Sequence, residues 1–327
     1  MNVGNLGEFG LISRIAGQVK PGAGVEVGIG DDAAVTSPTA GSLTLTTTDM
    51  LVEDIHFDLS LCDPTTLGRK SLSVNLSDIA AMGGEPRHFL LSMAVPSCTS
   101  LEFIDDFIRG TLSMADQFGV SLIGGDTCSS KGGIVISITV IGEQVPERVV
   151  RRSGATPGDL VFVTGTLGDS ALGLELLKKG ERGCRATDRH LDPCPRVREG
   201  VALAEAGIPT AMIDVSDGLL ADLGHILEQS AAGARLELDK IPLSSFFRER
   251  CRTLCDQSIS LALAGGEDYE LLFTAPASRK QEISAILQRL GTPVTAIGEI
   301  TDGRRLHVIS GDGSEYRITK RGFNHFA

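Results

Sequence analysis

Five times along this chain an apolar run delivers an aspartate beside Gly, Ser or Thr. GIGDDA carries Asp31 and Asp32, TLTTTDM carries Asp49, VNLSDIAAMGG carries Asp78, LIGGDT carries Asp126, and MIDVSDGL carries Asp214 and Asp217. Each has a structural reading when taken singly. An Asp ahead of GLLADLGHIL N-caps a helix, and Asp31-Asp32 or Asp126-Thr127 makes a turn. Together they constrain the fold more tightly. Carboxylates that converge in a low-dielectric cleft repel one another and raise their own pKa values, and a hard divalent cation removes that penalty. The pattern calls for a fold in which strand and helix ends gather around metal.

The donors are all oxygen, with no Cys–His grouping, so the implied ion is Mg²⁺ rather than zinc or copper. Magnesium takes one or two carboxylates and completes its shell with water and phosphate oxygens, so six or seven aspartates imply several ions. The stretch VEVGIGDDAAV also has the G-x-G-x-x-A spacing of a dinucleotide turn, through Gly28, Gly30 and Ala33. Asp31 and Asp32 stand where that turn would face a pyrophosphate with bare N–H groups. Asp49 falls within range of a ribose-binding acid, yet the two charges at the loop tip argue against NAD. Such a loop can hold metal, and the metal can hold phosphate. No G-x-x-x-x-G-K-[ST] loop and no kinase H-R-D or D-F-G set is present.

Periodicity predicts a helix over 8–18, strands over 25–29 and 42–48, a helix over 64–84 and a strand over 88–95. A helix over 100–118 and strands over 119–123 and 133–142 follow, including a βαβ-type half. The Pro-, Gly- and charge-rich segment 144–159 is the best boundary. Beyond it, helices are expected at 168–178, 195–206, 217–230, 243–254 and 277–290. Strands are expected at 159–165, 210–215, 234–239, 269–274, 294–299 and 304–310. The fold class is α/β (α+β) in two domains, 1–148 and 149–327.

Composition narrows the partners. A net charge of −12 argues against a nucleic-acid backbone or an anionic membrane, and 4 % aromatics with no Trp leaves no base-stacking platform. The seven cysteines form no C-x-x-C pair, which reads as free thiols in a reducing compartment. No basic-then-apolar leader opens the chain, and no run of about 18 apolar residues occurs, so the expected location is cytoplasmic. Cys251-x-x-x-Cys255 reads as two thiols on one helix face, without a functional role.

Taken together, GIGDDAAV, TTTDMLVEDIHF, VNLSDIAAMGGEPRHFLLS, LIGGDT, RRSGATPGDLVFVTGTLGDSALGL, IDVSDGLLADLGHI, AGGEDYELLF and the terminal GFNHF resemble the thiamine-monophosphate kinase family. That family belongs to the superfamily of aminoimidazole ribonucleotide synthetase, and the motifs run in order from residue 7 to 326. The resemblance implies ATP-dependent phosphorylation of thiamine monophosphate to thiamine diphosphate with Mg²⁺, directly and without a phospho-enzyme. It implies an N-terminal domain that binds ATP and metal and dimerises through its sheet, and a C-terminal domain closing the active site. Asp32, Asp49, Asp78, Asp126, Asp214 and Asp217 match metal ligands. Thr47 and Thr48 match positions that also coordinate metal, partly through backbone oxygen. Gly125, Asp126, Arg152 and Ser216 match nucleotide contacts; His56, Glu267 and Phe323 match the thiamine phosphate site. Among these, Asp126, Asp214 and Arg152 are the candidate catalytic groups.

These residue types suit the reaction. The nucleophile is a phosphate oxygen, anionic at neutral pH, so no strong general base is required. The obstacle is the approach of two anionic groups in line, which metal and Arg152 offset. The cationic thiazolium and aminopyrimidine suit a carboxylate and an aromatic face. Bland alternatives stand beside these roles: His56 as a structural residue, Glu267 as a turn acid, Phe323 as a terminal plug, and Arg151 and Arg152 as linker charges. Asn75 and Asp78, three apart, share a helix face, so the amide is expected to orient the carboxylate. Rival enzymes include other superfamily members. Selenophosphate synthetase would need a reactive Cys near the N-terminus, and the first here is Cys62. A non-catalytic thiamine-phosphate or nucleotide sensor would tolerate fewer metal ligands.

Overall fold

The computed structural model describes residues 1–20, 22–251 and 258–323. It divides into two compact units, Met1–Ile79 with Gly84–Pro146, and Ala80–Gly83 with Glu147 onward. In the first, two short helices, α1 (Val3–Leu6) and α2 (Glu8–Ala16), precede an antiparallel ribbon of β1 (Val25–Val27) and β2 (Val35–Thr36). Then come β3 (Leu43–Val52), α3 (Pro64–Ala81), β4 (Glu85–Pro96), α4 (Leu101–Phe118), β5 (Ser121–Ser130) and β6 (Val135–Gln144). The last four strands form one sheet in the order β3-β6-β4-β5. β4 and β5 are parallel with α4 between them, the expected βαβ half, and the other pairs are antiparallel.

Side chains alternate across this sheet with the strand period of two. Phe89, Leu91 and Met93 of β4 and Ile136, Ile138 and Val140 of β6 are buried. α3 lies on that face: a Cβ added at Gly142 would meet Ile79 at 2.8 Å. The opposite face is uncovered. Thr44, Thr46, Thr48 and Met50 of β3 are exposed there, with Ser137 and Thr139 of β6 and Leu90, Ser92 and Ala94 of β4 only partly buried.

The second unit contains β7 (Asp159–Thr164), α5 (Asp169–Lys178), α6 (Arg185–Leu191), α7 (Val197–Glu205), β8 (Ala211–Asp214), α8 (Leu219–Ser230) and β9 (Gly233–Glu237). It continues with α9 (Ser245–Cys251), α10 (Ser258–Ala264), β10 (Leu271–Pro276), α11 (Lys280–Arg289), β11 (Val294–Thr301) and β12 (Leu306–Ile309). Its six strands run in the order β12-β9-β11-β7-β10-β8, antiparallel except for β12 against β9. Val161, Val163, Ile213, Leu219, Leu223, Leu272 and Ile297 belong to one buried core.

Several expectations are corrected here. β5 does not stop at residue 123 but runs through LIGGDT to Ser130, paired with β4 across a register shift. Gly125 makes this possible, because a Cβ there would stand 1.8 Å from the Leu91 carbonyl oxygen. After Gly30 the chain enters β2 and not a helix, so no dipole faces the GIGDD turn and the dinucleotide reading fails. α6 and α10 were not anticipated; at seven residues each, they are too short for a clear periodic signal. The helix expected over 243–254 is described only as α9, and its remainder, with Cys255, lies outside the described residues. Cys62, Cys98, Cys128, Cys184 and Cys194 are free thiols. No helix among the described residues is long and apolar enough to cross a membrane.

Candidate active site

In the first unit the acidic residues fall into separate groups. β3 and α3 bring Thr47, Asp49, Asn75 and Asp78 together. The Thr47 hydroxyl donates to Asp78 Oδ2 at 2.5 Å. Burial first, and then the charge of Asp78, push the Asp49 carboxyl from 3.8 to about 6. Asn75 does not orient Asp78 as expected. Its Oδ1 accepts from the Asp49 N–H (2.9 Å) and its Nδ2 donates to the Ser71 carbonyl (3.1 Å), so it fixes the main chain that carries Asp49. Two neighbouring carboxylates, with the Asp49 carboxyl pushed up and the Thr47 hydroxyl beside Asp78, form an oxygen donor set that fits a hard cation.

The other first-unit candidates lie apart from this pair. Thr48 points to the uncovered face, where its hydroxyl accepts from Thr139 Oγ1 (3.0 Å) and donates to the Ile138 carbonyl (3.2 Å). Asp126 is on β5, at the opposite edge of the sheet from β3. It pairs with Ser92, which pairs with Ser137 and through it with Met50, all on the uncovered face. Asp49 pairs with Ile138 on the helix-covered face. Three strand spacings of about 4.8 Å separate the two edges. Asp32 is exposed, its N–H donating to Asp31 Oδ1 (2.9 Å). His56 lies in the turn after β3, its Nδ1 accepting from the Val52 N–H (3.0 Å), which places the neutral ring's proton on Nε2.

The second unit gathers more of its candidates. β8 ends on Asp214, buried, and the loop after it carries Ser216 and Asp217. The Ser216 carbonyl accepts from the Glu267 N–H (2.7 Å), and the Asp217 carbonyl accepts from the Phe323 N–H (3.0 Å). Backbone bonds therefore converge the SDG loop, the GGEDYEL turn and the C-terminal segment. Gly266 permits this, since a Cβ there would lie 2.5 Å from the Ser216 carbonyl oxygen. Arg152 is exposed on the segment beside β8, where the Met212 N–H donates to the Arg151 carbonyl (2.9 Å).

Several residues escaped the sequence reading. Asp222, on the first turn of α8, accepts from the N–H groups of Ser216, Asp217 and Gly218 at 3.0–3.2 Å. Burial and then Asp214 push its carboxyl to about 8. With Asp217 and His225 it forms the one group of three potential metal ligands among the described residues whose ligand atoms lie within 4.8 Å of one another. Asp268 accepts from the Gly168 N–H (2.8 Å) at the start of α5. Glu270, fully buried, is gripped by Arg189 and by Arg196 (2.6 Å to each oxygen), with the Thr164 hydroxyl donating at 2.7 Å. His190 stands beside Glu267. The signal was present in GGEDYELLF, where three acids follow one glycine turn; only the first had been given a role.

Two domains of mixed α/β construction, each with acidic loops at element ends, define the class. The family model for AIR synthase related protein, N-terminal domain, matches residues 30–144, and that for the C-terminal domain matches residues 156–311. A curated thiamine-monophosphate kinase of Haemophilus influenzae is 40 % identical over 331 residues, covering 98 % of this chain and 98 % of its own. The crystal structure of thiamine-monophosphate kinase from Stenotrophomonas maltophilia K279a matches with a TM-score of 0.84 and 38 % identity, over 94 % of this chain and 96 % of that one. The structure of AaThiL complexed with AMPPCP and TMP matches with a TM-score of 0.77 and 33 % identity, over 100 % and 99 %. The chain belongs to the thiamine-monophosphate kinase family.

Proposed function

We infer that this protein transfers the terminal phosphoryl group of ATP in line to the phosphate of thiamine monophosphate, giving thiamine diphosphate and ADP. Full-length similarity to kinases of this name supports the reading, as does the solved relative complexed with AMPPCP and TMP. The observation in this chain that carries it is the Asp49–Asp78 pair, whose mutual repulsion a divalent ion relieves. Asp32, Thr47, Asp49, Asp78 and Asp126, with Thr48 through its main-chain oxygen, and in the second unit Asp214 and Asp217, would hold Mg²⁺. Bound there, the ions supply charge neutralisation between the two phosphate groups. Gly125, Asp126, Arg152 and Ser216 contact the nucleotide, and Arg152 offers a guanidinium to charge on the transferred group. Glu267 faces the cationic substrate, Phe323 gives it an aromatic surface, and His56 donates a hydrogen bond from Nε2. Residues 1–148 serve nucleotide, metal and dimerisation, and residues 149–327 contribute Arg152, Asp214, Ser216, Asp217, Glu267 and Phe323.

ADP release in the presence of ATP and Mg²⁺, with and without thiamine monophosphate, tests this. Release that depends on the ester is the expected result. Equal release without it, or turnover of formylglycinamidine ribonucleotide in its place, removes the assignment.

The protein functions as a homodimer joined through the uncovered face of the four-stranded sheet. Support comes from that face itself: Thr, Ser and small apolar side chains without charge around Thr139, with Met50 59 % exposed. Thr139→Arg would bury an unpaired charge at a cost of several kcal/mol, so dimer affinity falls by about a hundredfold or more. Sedimentation equilibrium reads this directly. An unchanged dimer would place the interface elsewhere.

A further inference from the structure

Glu267 is held by two separate devices. Its main chain adopts φ 58°, a left-handed conformation that residues with side chains rarely take, and its N–H donates to the Ser216 carbonyl. The carboxylate is held independently. Its Oε2 lies 3.2 Å from His190 Nδ1, and the same nitrogen lies 3.1 Å from the Ser170 hydroxyl. His190 is buried on α6, whereas the Glu267 side chain is 32 % exposed. The preceding residue, Arg189, grips Glu270. Adjacent residues of one short helix therefore hold two acids of the same turn, and only the first of those acids reaches solvent.

We propose that His190 is a positioning residue for the thiamine monophosphate site, its Nδ1–H donating to Glu267 and setting the direction in which that carboxylate meets the cationic substrate. The proposal rests on the assignment of Glu267 to substrate made above. A glutamate on a free stem loses rotamer freedom when it engages a ligand, and a carboxylate already anchored through one oxygen has less to lose. With the Nδ1 proton carried on the ring, the Ser170 hydroxyl oxygen accepts a share of the same N–H at 3.1 Å, and the Ser170 main-chain N–H donates to Asp268 Oδ1 at 3.4 Å. The chain of contacts from the start of α5 to the substrate acid is thus continuous.

The test is steady-state kinetics on the full-length protein with ATP, Mg²⁺ and thiamine monophosphate, with melting temperatures measured in parallel. His190→Ala should raise KM for thiamine monophosphate about tenfold, the size of a lost hydrogen bond to a charged group, and leave KM for ATP unchanged. His190→Asn places an amide N–H near the Nδ1 position and should restore most of the loss. In a Glu267→Gln background, His190→Ala should add little, because the two act through one carboxylate. Equal rises in both KM values, additive losses, or failure of the asparagine to restore binding overturns the proposal. If Glu267→Gln impairs substrate binding while His190→Ala does not, the proposal alone fails. If Glu267→Gln is silent, the assignment of Glu267 falls and the proposal with it.

Discussion

Asp49→Asn lowers kcat/KM for phosphoryl transfer by about two to three orders of magnitude and at the same time stabilises the metal-free protein. The two effects have one cause. Asp49 and Asp78 stand on facing elements of the first unit, and burial with the neighbouring charge raises the Asp49 carboxyl to about 6. Keeping that carboxylate ionised costs the folded, metal-free chain roughly 3 kcal/mol. Asparagine removes the charge and keeps the shape. It also keeps the backbone N–H that Asn75 accepts, so the strand register is undisturbed.

The pH dependence follows in sign. A carboxyl whose folded pKa is raised binds its proton more tightly folded than unfolded, so stability falls as pH rises. Here the decline runs between 3.8 and about 6 and is complete above it. Melting in chelator should show this slope for the parent protein and a flatter one for Asp49→Asn. Saturating Mg²⁺ should remove the difference. A variant that melts earlier than its parent in chelator, or that retains activity, would show Asp49 to be structural.

Glu270→Gln is the second large effect, and it concerns stability. Glu270 has no exposure and takes two bonds from Arg196, one from Arg189 and one from Thr164. Burial alone would raise its carboxyl, but Arg196 and then Arg189 outweigh that and hold it below 4.5. Removing the charge takes the carboxylate from Arg189 and leaves Arg196 with its longer pair to Glu199 at 3.4 Å, at a cost of about 3–5 kcal/mol. Urea denaturation followed through the second unit should show a lower midpoint with little change in slope. Since the folded pKa is depressed, this contribution is present above 4.5 and is lost as pH falls through the lower folded value. Lys240→Ala, which breaks an exposed pair with Glu237, is the contrast and should cost no more than about 1 kcal/mol. Equal losses from the two variants would mean that the buried network contributes nothing special.

Much of this architecture could be read along the chain because its signals are local. A periodic run placed a helix over 100–118, and α4 fills it, capped by Ser100, whose Oγ accepts from the Phe103 N–H at 3.1 Å, and closed by Gly119. Each acidic loop announced itself by an Asp beside small residues. Asn75 and Asp78 were placed on one helix face by spacing alone. What Asn75 holds was not legible, since the spacing says which residues are neighbours and not which atom a side chain finds across the gap.

α6 carried no periodic apolar signal and owes its place to contacts far away in sequence, through Arg189 and His190 to the turn at 267–270. Residue types and their order were enough to announce two α/β domains and the family, because the motifs and periodicities that carry them lie within short windows. Only the folded chain revealed that Asp49 and Asp126 occupy opposite faces and opposite edges of one sheet, and that Glu267 leans on a buried histidine. Strand order and side-chain direction arise from pairing between distant segments, and no local window contains that information.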